Sequence, residues 1–212
     1  MRSVIRGLPR QPKKQCHFAA MPYADLPAFV TGLRGRSSVG RLALEFLILN
    51  ASRSGEIRGA CWGEMDVKKK LWTIPAERMK AGTAHVVPLS EAALDVLKRA
   101  KTFRSPVSDL VFRGQNPRRP LSDMTLLKVL RDKGDDYTVH GFRSSFRDWV
   151  AEKTSYPGEV AEAALAHTIA NKVEAAYRRT DYLDKRKPLM TDWAKFVARC
   201  RCEYRWLLYA PI

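Results

Sequence analysis

A histidine, a short break and a tyrosine beside two arginines make up the stretch Leu165-Ala166-His167-Thr168-Ile169-Ala170-Asn171-Lys172-Val173-Glu174-Ala175-Ala176-Tyr177-Arg178-Arg179. A phenol has a pKa of about 10, so it attacks an electrophile only as it sheds its proton. A neighbouring histidine or a cationic field helps that step. If Tyr177 is such a nucleophile, four other polar residues fall into place around it: Arg53, Lys80, His140 and Arg143. On the residues alone, a half-buried helix tyrosine is the commoner reading of Tyr177. Tyr182 is a second candidate but lies further from His167.

The elements that must position these groups are legible in outline. Leu26, Phe29, Val30 and Leu33 fall at helical spacing and predict a helix over Tyr23 to Arg34, ended by Gly35. A second, more apolar helix is predicted from Gly40 to Ala51 and runs into Ser52-Arg53-Ser54-Gly55-Glu56. Arg53 and Glu56, three apart, sit side by side at a helix end or in a turn. A surface ion pair is one reading. The apolar flanks Leu47, Leu49, Ile57, Cys61 and Trp62 favour a partly buried arginine with Glu56 as its partner.

Leu71 to Ile74 and His85 to Leu89 are strand-like, and Asp66 to Lys70 closes an earlier turn. The result is a small antiparallel sheet with Lys80 on a strand end or hairpin. By itself Lys80 is one lysine among many. Ser90 caps a helix over Glu91 to Lys101, and Ser122 caps another over Met124 to Lys133. Between them Phe103 to Pro120 is loop-rich and carries Arg113, Arg118 and Arg119, facing DNA or solvent. Thr138 or Val139 is expected to cap the next helix. His140 and Arg143 share one of its faces near its start, where anions are favoured, and Phe142, Phe146 and Trp149 form its apolar face. A lone His-x-x-Arg is a weak signal. Glu159 to Ala166 is a short helix, Lys172 to Tyr182 carries Tyr177, and Met190 to Arg199 is a last amphipathic helix. His85 belongs to the strand pattern, as a structural or exposed residue. His17 carries no argument.

The bulk numbers bound the answer. The chain has 212 residues, 45% hydrophobic and 28% charged, which is ordinary for one globular domain. The balance of 38 Lys+Arg against 22 Asp+Glu is not ordinary, and the net charge of +16 is the footprint of a protein that binds a polyanion, most often nucleic acid. A soluble protein that merely happens to be basic is the bland alternative. Cys16, Cys61, Cys200 and Cys202 match no zinc pattern and read as free thiols in a reducing compartment. No apolar run reaches transmembrane length and no secretory signal opens the chain. The expected setting is the cytoplasm, on DNA. The expected division is a basic linker or arm over 1–22, a folded domain over 23–199 and an aromatic, basic tail over 200–212.

Taken in order, Ala51-Ser52-Arg53-Ser54-Gly55-Glu56, Ile74-Pro75-Ala76-Glu77-Arg78-Met79-Lys80, His140-Gly141-Phe142-Arg143, Leu165-Ala166-His167 and Ala175-Ala176-Tyr177-Arg178-Arg179 resemble the catalytic domain of a tyrosine recombinase of the phage and prophage integrase branch. The resemblance covers about residues 20 to 195. It implies an α+β, mainly α-helical fold with a small antiparallel sheet. It also implies roles: Arg53 and Arg143 clamp the scissile phosphate, Lys80 protonates the leaving 5′-oxygen, and His140 handles protons at the nucleophile and touches the phosphate. His167 is the second histidine, which is Trp in some relatives. Tyr177 is the nucleophile and Glu56 a supporting acid. Arm-binding and core-binding domains are expected ahead of such a domain, and residues 1–22 do not supply them. The chain is therefore expected to grip DNA weakly by itself.

The chemistry needs these residue types. A phosphodiester gains charge in its pentavalent transition state, and two planar guanidinium groups bind the non-bridging oxygens. Losing one such donor costs roughly 3–4 kcal/mol. No metal or other cofactor is expected, because the arginines supply the positive charge. The expected partners are double-stranded DNA and further copies of the chain, a tetramer in synapsis. Two alternatives stay open: a non-catalytic DNA-binding remnant of an integrase, and a type IB topoisomerase.

Overall fold

The computed structural model describes residues 19–132, 134, 136–167 and 180–199. Its elements run α1 (Leu26–Arg34), α2 (Val39–Asn50), α3 (Ser54–Arg58), β1 (Met65–Asp66), β2 (Leu71–Ile74), β3 (His85–Pro88), α4 (Glu91–Ala100), α5 (Asp123–Arg131), α6 (Gly141–Lys153), α7 (Gly158–Ala164) and α8 (Leu183–Ala198). The fold is α+β and mainly helical, with one antiparallel sheet in the order β1-β2-β3. Its register pairs Met65 with Trp72, and Trp72 with Val87.

The centre is α2. Ser38 starts it by accepting the Arg41 amide at 3.3 Å, and Ala51 stops it in a left-handed conformation with φ 48°. It is buried on almost every face, because α1, α4, α5 and α8 all pack on it. Phe46 meets Trp72 of the sheet and Phe112, and Trp193 of α8 donates its indole N–H to the Ile48 carbonyl at 2.8 Å. Glu45 carries a charge into this core. Arg34 of α1 and Arg99 of α4 neutralise it at 2.7 and 2.8 Å, so one carboxylate ties three helices together.

Several sequence boundaries move. Ser90 caps α4 as expected, accepting from the Ala93 amide at 3.2 Å. Ser122 precedes α5, but its hydroxyl meets the Thr125 hydroxyl at 2.9 Å instead of a backbone amide. The last helix starts at Leu183, well before the expected Met190, and it runs through Pro188. Apolar periodicity begins only at Leu189, so the first turns left no apolar signal in the sequence. Ala19 and Ala20 lie against the start of α6. A Cβ on Gly141 would fall 2.4 Å from the Ala19 carbonyl oxygen, so only glycine admits this crossing. No helix among the described residues is long and apolar enough to cross a membrane.

Candidate active site

The left-handed turn at Ala51 throws the chain out of α2 and into an extended Arg53 that caps α3. Glu56 reaches back one turn. Its carboxylate accepts the Arg53 amide at 2.8 Å and the guanidinium at 2.7 Å. The expected pairing is therefore present, with Glu56 buried and Arg53 half-buried. Arg53 Nη2 donates to the Ala166 carbonyl at 3.1 Å.

Arg143 comes from the first turn of α6 and is only 3% exposed. Nη1 donates to the Ala51 carbonyl at 2.6 Å and Nη2 to the Leu165 carbonyl at 2.5 Å. Burial, with the nearby Arg53 charge, pushes its pKa down to about 10, so it stays charged at neutral pH. Its buried Nε has no partner among the described residues. The two arginines thus grip successive carbonyls of one turn, whose Ala166 is left-handed with φ 47°. An arginine has five N–H donors in a fixed fork, so each retains donors for an anion after holding the backbone.

His140 precedes α6 and lies at the rim, exposed. The capping is done by Thr138, whose hydroxyl accepts the Gly141 amide at 3.0 Å. The sequence offered Thr138 or Val139 for that role. The His140 pKa lies below its ordinary value, through partial desolvation first and then the positive charges of Arg143, Arg53, His167 and Lys80. It is therefore neutral at pH 7. His140 and Arg143 share the cleft, but one stands at its rim and the other in its floor.

Lys80 is exposed on the β2–β3 connection, just past a short 3-10 turn at Ala76–Arg78. Met79 beside it is buried and fixes the connection to the core. Arg78 adds a second anchor. It donates to the Glu56 carbonyl at 3.1 Å and pairs with Glu64, which also accepts from the Trp72 indole at 3.0 Å. Arg53, Glu56, Lys80, His140 and Arg143 all line one cleft of about 520 Å³.

His167 follows the Ala166 turn and is exposed, with Nδ1 2.6 Å from a Glu162 carboxylate oxygen. Arg78, Glu64 and Glu162 were not singled out from the sequence. Their partners are backbone carbonyls or side chains that no spacing rule joins. Ala51, Leu165 and Ala166 contribute through carbonyls, which every residue possesses, so no residue type marks them.

The remaining candidates do not join the cleft. His85 on β3 is half-buried beside Arg186. Burial first, then the Arg186 charge, lowers its pKa to about 4, so it is neutral. Tyr182 heads α8 with φ 56° and donates its hydroxyl to Glu159 at 3.2 Å, away from the cleft lining. Cys61 is a free thiol. Tyr177, His17, Cys16, Cys200 and Cys202 lie outside the described residues, as do Lys133 and the tail over 200–212. Among the described residues no three His, Cys, Asp or Glu side chains gather as a metal site.

Comparison with known proteins adds the context. The model of the phage integrase family matches residues 26–183. Prophage integrase IntS of Escherichia coli (strain K12) is 31% identical over 186 residues, 85% of this chain and 48% of that protein. The integrase of Enterobacteria phage P4 is 34% identical over 90% of this chain and 48% of its own length. The chain thus spans about half the length of these relatives. Among solved structures, a lambda integrase tetramer bound to a Holliday junction superposes with a TM-score of 0.57 at 17% identity, over 77% of this chain and 51% of that one. That likeness shows the fold.

Proposed function

The chain belongs to the phage integrase family, and on that premise we propose that it cuts and rejoins duplex DNA at a specific site through a 3′-phosphotyrosine on Tyr177. The observation that carries the proposal is the convergence of Arg53 and Arg143 on the turn before His167, with Lys80 and His140 on the same cleft. Such a preorganised pair of cations suits a pentavalent phosphate better than the ground state, because its donors are already held when the charge grows.

The steps follow from the groups. The arginines bind the non-bridging oxygens of the scissile phosphate. Tyr177 Oη attacks phosphorus while its proton passes to His140, which is neutral and able to accept it. Lys80 gives a proton to the departing 5′-oxygen. The product is a phosphotyrosine on the 3′ side and a free 5′-hydroxyl, and reversal by another 5′-hydroxyl completes strand exchange. The positive charge comes from side chains, so no metal ion takes part. The net charge of +16 supports a DNA partner. Four such domains acting in synapsis complete the reading, in the cytoplasm where the DNA lies.

A nicked duplex carrying the attachment core tests it, because cleavage there releases a short fragment and traps the protein. A denaturing gel should show a covalent band that Tyr177→Phe abolishes while DNA binding persists. A band that persists in that variant rules out Tyr177. Site-independent relaxation of supercoiled plasmid by the chain alone would instead favour a topoisomerase. Tight binding without a band across several sites would favour the non-catalytic remnant.

A further inference from the structure

Glu162 takes no part in those steps, yet it holds groups on two elements around them. One carboxylate oxygen lies 2.6 Å from His167 Nδ1, and the other forms an ion pair with Arg147, 2.9 Å from its Nε. The local backbone creates this arrangement. Ala166 turns left-handed, the His167 amide closes onto the Glu162 carbonyl at 3.0 Å, and the ring returns over the carboxylate. The same turn is held by Arg143 and Arg53 through the carbonyls of Leu165 and Ala166. Arg147 stands on α6, one turn beyond Arg143. A single carboxylate therefore joins the helix that carries Arg143 to the imidazole.

The partner of one imidazole nitrogen decides what the other can offer. A carboxylate at Nδ1 keeps a proton on that nitrogen and fixes the ring plane. Nε2 is then the nitrogen left to meet a ligand. His167 directly follows Ala166, whose carbonyl accepts from Arg53 Nη2 at 3.1 Å, so the ring stands beside the arginine that lines the cleft. We propose that Glu162 is a positioning residue that acts through His167, holding its Nδ1 proton and turning Nε2 toward the scissile phosphate. The phosphate half of this rests on the recombinase reading, whereas the ring-holding half does not.

A purely structural role for Glu162, as the partner of exposed Arg147, makes different predictions, because exposed ion pairs contribute little. The test compares rates of covalent adduct formation on the nicked duplex for the wild type, Glu162→Ala, Glu162→Gln, His167→Trp, Arg147→Gln and the Glu162→Ala/His167→Trp double variant. An indole has one N–H and nothing for a carboxylate to hold at the Nδ1 position. Glu162→Ala should slow the wild type about 10- to 100-fold, the usual cost of removing an orienting partner. Glu162→Gln retains an acceptor and should recover part of the rate. In the His167→Trp background the same Ala substitution should change nothing, because the coupling has lost its second member.

An equal loss in both backgrounds, or the same loss from Arg147→Gln, overturns the proposal. A readout without DNA stands beside the rates. In ¹⁵N NMR of the free protein, the ring signal missing from His167→Trp should show its proton on Nδ1. In Glu162→Ala that proton should be shared between the two nitrogens. An unchanged ring spectrum in Glu162→Ala also overturns the proposal. A wild type that forms no adduct would count against the recombinase reading itself, while the NMR still decides whether Glu162 holds the ring.

Discussion

The floor and the rim of the cleft are built differently. In the floor, Arg143 is buried and bound to two carbonyls, and Arg53 is held by Glu56 and a third carbonyl. At the rim, Lys80 and His140 are exposed. In the proposed chemistry, the groups that would hold charge in place are fixed by the fold, which would lower the reorganisation needed as the phosphate charge grows. The groups that would pass protons stay open to solvent. Floor residues should therefore couple function to stability, and rim residues should not.

Lys80→Ala is the strongest test at the rim. On the proposed role of Lys80, its loss should slow cleavage by about 10²- to 10⁴-fold. The thermal midpoint should hardly move, since an exposed substitution stays within about 0.5 kcal/mol. A DNA whose bridging 5′-oxygen is sulfur has a better leaving group and should restore most of the rate. A large drop in midpoint would erase the contrast.

Arg143→Lys tests the floor. An ammonium cannot reach the Ala51 and Leu165 carbonyls together, so one buried acceptor loses its donor. Cleavage should fall about 10²- to 10³-fold and stability by about 2–4 kcal/mol, both together. Activity lost with full stability would show that the floor is not pinned as described.

The histidines extend the same contrast. His85, half-buried behind β3, has its pKa lowered from 6.5 to about 4. Below pH 6.5 the unfolded chain takes up a proton that the folded state refuses. Stability is thus full above 6.5 and falls as pH drops toward 4, by on the order of 2–3 kcal/mol. Denaturant midpoints across this range should show the slope, and His85→Gln should flatten it. An unchanged slope would place the acid sensitivity elsewhere. The smallest effect is expected at the turn itself. Ala166→Gly relieves a left-handed alanine and should stabilise by at most about 1 kcal/mol. A clear loss of stability would argue against that backbone conformation.

The sequence disclosed those features that depend on residue type. Arg53 and Glu56 three apart announced their ion pair, Ser90 announced α4, and the aromatic face of α6 announced its packing. Four of the candidate residues, Arg53, Lys80, His140 and Arg143, line one cleft. The turns that hold Arg53 and Arg143 were invisible, because carbonyls at Ala51, Leu165 and Ala166 leave no mark on residue identity. Glu162 escaped for a related reason: its meeting with His167 depends on a left-handed alanine that no local preference favours. The early turns of α8 escaped because their burial rests on Arg186, which is wholly buried and donates to the Val86 carbonyl at 2.7 Å. A charged residue in a helix reads as solvated until its partner is seen.

The most direct test of the account is to digest the trapped protein–DNA adduct and find by mass spectrometry which peptide carries the nucleotide. The account predicts a 3′-phosphoryl link on Tyr177, with a free 5′-hydroxyl on the released strand. A nucleotide on Tyr182, or a cleaved strand that ends in a 5′-phosphate, would contradict it.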